Sequence, residues 1–280
     1  MNKSLFYIVV VLYGKQPRQS TTLMSLSAMA AEEKRDLRLC IRDNSPEPFS
    51  EQQKSELNGM LANIRYEYRH NKGDNLPLSR IYNESIHELD EKEYLVLFDD
   101  DSEFTSDYFR VARASIKVHP DVHLFLPIVH YGNVLVSPAA MRYFKGHFFS
   151  SVTPGLMPCK NTSAINSGMI ISAQYLKHDF EGYDEHIRFY GTDNDFMSRY
   201  TASHETMYVM DYHMRHTLNY YENDEPFTKA ANRYRDQRRA SFILMKRQGW
   251  FVYFLTHLYW LVFSVKYSIQ KRDIRYLFLR

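Results

Sequence analysis

The stretch Tyr94–Asp101 constrains this chain more than any other, because five apolar or aromatic residues run directly into three carboxylates. An unbroken apolar run of this length reads as a strand buried on both faces, as in the middle of a parallel sheet. Asp99, Asp100 and Asp101 cannot follow it into the core unpaired, since a bare buried charge is strongly disfavoured or takes up a proton. The strand must therefore end at an opening that faces water, a cation or both. In open α/β sheets that edge is where ligands bind. Three hard oxygen donors there suit Mg²⁺ or Mn²⁺. The same triplet also suits a solvated turn in which Asp101 or Ser102 caps the next helix, so its surroundings must decide.

A chain of 280 residues allows one large α/β domain or two small ones. With 44% hydrophobic and 24% charged residues it can fill a core, which excludes the disordered classes. Cys40 and Cys159 are too few for a disulfide framework, so a reducing compartment is the default. The net charge of +2 conceals an asymmetry. From Lys229 onward, twelve Lys and Arg face only Asp236 and Asp273, and the rest of the chain is acidic. Such a basic, aromatic tail is expected to meet an anionic surface. Its dense apolar run argues against nucleic acid as that surface.

Around the central strand the chain alternates strand and helix signals. Leu5–Leu12 reads as a first buried strand rather than a signal h-region, since Tyr13-Gly14-Lys15 follows it instead of a small-residue cleavage site. Ser20-Thr21-Thr22 predicts a capped helix to about Ala31. Leu37–Ile41 is a second strand, ending in Arg42-Asp43-Asn44-Ser45, where Asp43 suits either a nucleobase or ribose contact or an Asx turn. Glu51–Leu61 reads as helix and Ile64–Tyr68 as a third strand. Asn75–Asn83 is a loop opening a helix, whose free amides, with Arg80 nearby, suit a phosphate.

Beyond the aspartates, Tyr108–His119 is a helix stopped by Pro120, and Val122–Val129 a strand. Residues 137–160 read as irregular. Ser163–Ser172 reads as one strand with a Gly kink, with a helix from Ala173. In Gly191-Thr192-Asp193-Asn194-Asp195 a Gly turn presents carboxylates at a helix start, where the helix dipole favours their charge. A carboxylate fixed there suits proton abstraction from a hydroxyl; N-capping by Thr192 or Asp193 is the plainer reading. A strand from Glu205 to Met210 leads to His213 and His216, either of which suits a metal site.

In this order the pieces resemble the family-2 glycosyltransferases of the GT-A fold, from about Leu5 to about His216. The first strand with Tyr13-Gly14, and the second ending in RDNS, look like the opening half of that family's nucleotide-binding sheet. NLPLSRIYN is similar to its Asn-x-Gly-Leu-Ser-x-Ala-x-Asn segment, with Pro77 in place of Gly. LVLFDDD resembles the DxD strand end, INSGMIIS the acceptor-side strand, and GTDNDF the Glu-Asp-x-Glu/Asp-Phe signature, with Thr192 in place of Glu.

The resemblance implies an α/β GT-A fold, Rossmann-like, with a mostly parallel central sheet flanked by helices. It implies a metal-dependent, inverting transfer of a sugar from a UDP-, dTDP- or GDP-sugar to a glycan hydroxyl, in cell-surface polysaccharide synthesis (capsule, O-antigen or exopolysaccharide). Asp43 would then contact the nucleotide base, Asp99 the ribose or uracil side, and Asp101 the Mg²⁺ or Mn²⁺ ion, with Asp100 as helper. Asp193 would be the general base. Asp195 and Asn166 would serve the acceptor, and His216, with His213 as competitor, would complete the metal site. Two rivals are a sugar-phosphate nucleotidyltransferase, weakened by the single Gly after the first strand, and a non-catalytic nucleotide- or glycan-binding subunit.

The expected organisation is a GT-A domain over residues 1–225, with a nucleotide-sugar half to about 103 and an acceptor half from 104, and a helical tail over 226–280. Trp250–Val265 is apolar nearly all round but shorter than the roughly 20 residues of a spanning helix. Lys246 and Arg247 before it and Lys266 after it suit a helix lying in an anionic leaflet. The expected location is the cytoplasmic, inner face of the cell membrane, and a lipid-linked glycan is the acceptor that this implies.

Overall fold

The computed structural model describes residues 5–142, 145–216 and 226–279. The strands are β1 (Phe6–Leu12), β2 (Leu37–Asp43), β3 (Arg65–His70), β4 (Tyr94–Asp99), β5 (Ser102–Glu103), β6 (Leu124–Tyr131), β7 (Val134–Ser137), β8 (Ala139–Arg142), β9 (Lys145–Phe148), β10 (Gly155–Pro158), β11 (Thr162–Ser163), β12 (Met169–Ser172) and β13 (Thr206–His216). The helices are α1 (Thr21–Ala28), α2 (Glu51–Met60), α3 (Leu78–His87), α4 (Asp107–Val118), α5 (Ala173–His178), α6 (Thr192–Ser203), α7 (Phe227–Arg247) and α8 (Trp250–Lys271).

The main sheet runs β3-β2-β1-β4-β12-β6-β13-β10, with β5 paired to β13 and β7 to β6. Its first half is parallel throughout: β1 pairs with β2 and with β4, and β2 with β3. These strands read as near-continuous apolar runs because helices cover both faces. Phe6, Ile8 and Val10 join the core on one face, Tyr7 and Val9 the core on the other. Each such side chain contributes about 1.5–3 kcal/mol when fully buried. The second half is mixed. β12 is antiparallel to both β4 and β6, whereas β13 lies parallel to β6 with a register shift between Val209 and His213.

Three expectations about elements are corrected. Residues 137–160 are not simply irregular: β8 and β9 pair with each other and β11 with β8 in a small three-stranded sheet, and β10 pairs with β13. Strands of two to four residues carry too little alternation to register as such. Ser163–Ser172 is not one strand. β12 starts only at Met169, because Gly168 turns the chain at φ +81°, where a Cβ would lie 2.8 Å from Met214 Cε and Pro127 Cγ. Only glycine fits a position with both constraints. Helix α1 stops at Ala28, three residues before the expected end, while its cap is as expected, with Ser20 Oγ accepting from the Leu23 amide at 3.2 Å.

The tail forms a helical hairpin. Tyr234 on α7 packs against Trp260 and Tyr267 on α8. The expected boundary at residue 225 lies outside the described residues. The opposite face of α8 is an exposed apolar stripe: Trp250, Phe254, Leu258, Leu261, Val265 and Ile269, spaced by three or four residues. No helix among the described residues is long and apolar enough to cross a membrane.

Candidate active site

β4 ends beside β1 at the middle of the sheet, where β1 turns out through Gly14. The aspartates therefore leave the core at the opening between the ends of parallel strands. The start of α1 clamps this turn from below. Thr22 Oγ1 donates to the Asp99 carbonyl at 2.5 Å, Ser20 Oγ to the Asp100 carbonyl at 2.9 Å, and the Ser102 amide donates to Thr22 Oγ1 at 3.0 Å. The Asp99 amide donates to Ser167 Oγ at 3.2 Å, and Ser167 in turn bonds Ser102. In the sequence Ser20, Thr22 and Ser102 stood out only as helix caps and Ser167 only within INSGMIIS; their hold on the aspartate turn was not legible, because hydroxyls near loops are too common to signal it.

β13 returns beside β5 and delivers His216 to the aspartates. Its Nδ1 lies 3.2 Å from Asp101 Oδ1 and its Nε2 3.8 Å from Asp99 Oδ2. One ligand atom from each of Asp99, Asp101 and His216 falls within 4.8 Å of the others. Asp101 Oδ1 is buried against that imidazole and makes no hydrogen bond among the described residues. Two carboxylates and one imidazole converging in this way fit a divalent ion such as Mn²⁺ or Mg²⁺. The competitor His213 points elsewhere, its Nδ1 2.8 Å from Nε2 of His130. Asp100 turns from this group to Lys15, whose Nζ lies 2.7 Å from its Oδ1. Burial, with Asp99 and Asp100 close by and His216 opposing, pushes the Asp101 carboxyl up to about 6.

α6 supplies the second half of the site. Gly191 caps it at φ +90°, and a Cβ there would lie 3.0 Å from Ala240 on α7, so the tail sits directly on this turn. Asp193 Oδ1 accepts from the Asn194 amide at 2.8 Å. Asn194 is held in turn by Ser163 Oγ at 2.9 Å, and Thr192 Oγ1 accepts from Asn166 Nδ2 at 2.9 Å. The Asn166 side-chain oxygen Oδ1 has no hydrogen-bond partner among the described residues. Burial pushes the Asp193 carboxyl up to about 6, with the Asn194 amide opposing. Asp193 is near enough to the metal-type cluster to help raise Asp99. Between the two lies Tyr82 of α3. Burial first, then Asp99, Tyr183 and Asp193, push its phenol well above the ordinary value. Its buried hydroxyl has no partner among the described residues.

The remaining candidates sit deeper or further out. Asp43, at the end of β2, is buried and accepts from the Ser45 amide at 2.9 Å and from the Tyr68 hydroxyl at 2.6 Å. Arg80 is exposed and pairs with Glu84 at 3.1 Å. The first amide of α3, that of Leu78, is taken by the Arg188 carbonyl at 2.8 Å rather than free. Asp195 is fully buried and holds structure together, accepting from the Asp184 amide, Arg199 and Arg247.

A ten-stranded sheet, parallel on one side and mixed on the other, with carboxylates at the end of the central strand, matches solved structures over most of the chain. TarS of S. aureus, residues 1–349, superposes with a TM-score of 0.57 at 13% identity, covering 86% of this chain and 65% of that one. The fold is the GT-A glycosyltransferase fold. The mannosyltransferase PcManGT of Pyrobaculum calidifontis, in complex with GDP-Man and Mn²⁺, aligns on the same GT-A frame with a TM-score of 0.57 at 11% identity, over 89% of this chain and 66% of its own. GalNAc-T7 with UDP, GalNAc and Mn²⁺ does so with a TM-score of 0.55 at 11% identity, over 86% and 48%. The chain thus spans about two thirds or less of the length of these GT-A structures. No family profile and no curated protein sequence matches it.

Proposed function

We propose that the chain is a metal-dependent glycosyltransferase that moves a sugar, with inversion, from a nucleoside-diphosphate donor to a hydroxyl of a glycan acceptor. The observation that carries this reading is the pairing of two groups across one site: the Asp99–Asp101–His216 cluster at the end of β4, and Asp193 at the start of α6. The GT-A structures solved with UDP or GDP-Man and Mn²⁺ support a nucleotide-sugar donor and a divalent ion.

Asp99, Asp101 and His216 would hold the ion, and Lys15 adds a cation beside them. A divalent ion there supplies charge neutralisation for the departing diphosphate. Asp99, at the end of β4, would also meet the ribose side of the nucleotide, and Asp43, buried at the end of β2, would shape the base site through its hold on Ser45 and Tyr68. Asp193 takes the proton from the acceptor hydroxyl, and a carboxyl pushed up to about 6 is a competent base near neutral pH. One base suffices, because no covalent sugar–enzyme intermediate is required. Tyr82 and Asn166 carry buried oxygens with no hydrogen-bond partner among the described residues, which a bound sugar would satisfy.

The tail supports a place at a membrane surface. The apolar stripe of α8 is exposed along its length, with Lys246, Lys266 and Arg272 exposed beside it. A helix with this division lies in a leaflet, and each basic residue near an anionic surface adds about 1 kcal/mol. The acceptor that fits an enzyme held there is a lipid-linked glycan of cell-surface polysaccharide synthesis, at the cytoplasmic face.

Calorimetric titration with UDP, dTDP and GDP, with and without Mn²⁺, tests the reading. Metal-dependent binding of one nucleotide, lost in Asp101→Ala, is the expected result. Binding of none, with the chain folded, overturns it.

A further inference from the structure

A cleft of about 1000 Å³ runs from the catalytic turn to the tail. Its inner end is Tyr190, Gly191, Asp193 and Asn194. One wall is the small sheet, through Ala140, Arg142, Asn161 and Thr162; the other is the hairpin of α7 and α8. A cleft of this size suits a ligand larger than one monosaccharide.

The lining is divided. On the side of α6 and the small sheet it is polar but nearly uncharged, with Asn161, Thr162 and Asn194, and Leu244 of α7 lies beside Gly191. Amides and hydroxyls of this kind suit the hydroxyls of a neutral sugar. Along α8 it is apolar, with Tyr259, Trp260 and Phe263. Trp260 is 6% exposed, and its indole N–H has no partner among the described residues. A buried donor left unpaired is strongly disfavoured unless a ligand or water meets it. Arg142 is the cation of the lining, and it has no ion-pair partner among the described residues.

α8 therefore has two working faces. Tyr259, Trp260 and Phe263 look into the cleft, while Leu258, Leu261 and Val265 belong to the exposed stripe. One helix separates the cleft that reaches the base from the surface assigned to the membrane.

We propose that this cleft is the acceptor site and that its occupant is amphipathic: a saccharide carried on an apolar chain, with the sugar at Asp193 and the chain along Trp260 and Phe263. The inference rests on the glycosyltransferase reading, and it makes the tail part of the acceptor site as well as an anchor.

The test uses the full chain carrying Trp250→Phe, which leaves Trp260 as the only tryptophan. Octyl β-glucoside below its micellar range and methyl β-glucoside serve as probes, with Trp260 emission as the readout. The expected result is a saturable shift with the octyl glycoside, at concentrations where the methyl glycoside is silent, weakened at least tenfold by Ser241→Phe. Far-UV circular dichroism and a cooperative thermal melt report that each variant has folded, and nucleotide binding with Mn²⁺ is measured alongside. Gln237→Phe, filling the same cleft from a neighbouring position, replaces Ser241→Phe should that variant fail to fold. An absent shift, equal responses to the two glycosides, or indifference to both cleft-filling variants overturns the proposal. Glycoside binding without any nucleotide binding instead leaves the cleft standing and removes the glycosyltransferase reading beneath it.

Discussion

Arg247 Nη1 lies 2.5 Å from Oδ1 of Asp195, a carboxylate with no solvent exposure. Its Nη2 lies 2.5 Å from Asp184 Oδ2. Through this fork the last turn of α7 is bonded to the first turn of α6, two residues beyond Asp193. The tail is thus joined to the half that carries Asp193 by a planar, two-carboxylate contact, a geometry that arginine provides and lysine does not.

Arg247→Ala should destabilise the chain by about 1–3 kcal/mol, because Asp195 keeps Arg199 and the Asp184 amide but loses its second cation. The lower half of that range is expected, since Arg247 is 35% exposed. Urea denaturation checks this. Arg247→Lys should recover only part of the loss, and full recovery would show that charge alone matters.

Asp193→Asn should lower transfer by about 10²–10⁴-fold while nucleotide affinity stays near that of the wild type. Equal loss of both would remove the general-base assignment. The wild-type rate should rise with pH through about 6, as the Asp193 carboxyl ionises.

The same group predicts a trade between function and stability. Asp193 has its carboxyl raised from 3.8 to about 6 by burial, so between those values the folded state binds more protons than the unfolded one. Its contribution to stability therefore falls as pH rises from about 4 to 6. Asp193→Asn should be more stable than the wild type above pH 6, by about 1–3 kcal/mol, and should lose that advantage below pH 4. Denaturant midpoints at about pH 7.5 and about pH 3.5 measure the difference.

His216→Ala should weaken Mn²⁺-dependent nucleotide binding by at least about tenfold. His213→Ala should leave it unchanged, because His213 pairs with His130 instead. Calorimetry on the two variants separates them, and the reverse order would move the metal site.

A chain ending before Trp250 should no longer sediment with anionic vesicles. In the full chain, Phe254→Ser, Leu261→Ser and Val262→Ser together should weaken vesicle binding by at least about 100-fold, given the apolar area removed. All three side chains are exposed, so thermal stability should change little. Undiminished vesicle binding would place the anchor elsewhere.

By itself the sequence determined the frame. Apolar runs that end in carboxylates or Gly turns admit few structures besides strands of an α/β sheet, and β1, β2, β4 and the capped α1 lie where those patterns put them. The metal-type pair Asp99 and Asp101 and the helix-start Asp193 were legible because charge next to an apolar run, or after a Gly turn, is a local signal. Tertiary structure alone decided what is set by distance in space. Alternation along β13 puts His213 and His216 on opposite faces, but only its pairing with β5 and β6 sends His216 to the aspartates and His213 to His130. Asp195 looks in sequence like a partner of Asp193, yet it is a buried anchor, because Arg199 and Arg247 converge on it from two helices. The short strands β8 and β11 and the tail hairpin form one cleft only after folding, since each is too short or too uniformly apolar to reveal its partner. Local chemistry names the groups; long-range packing assigns their neighbours, and those neighbours set what each group can do.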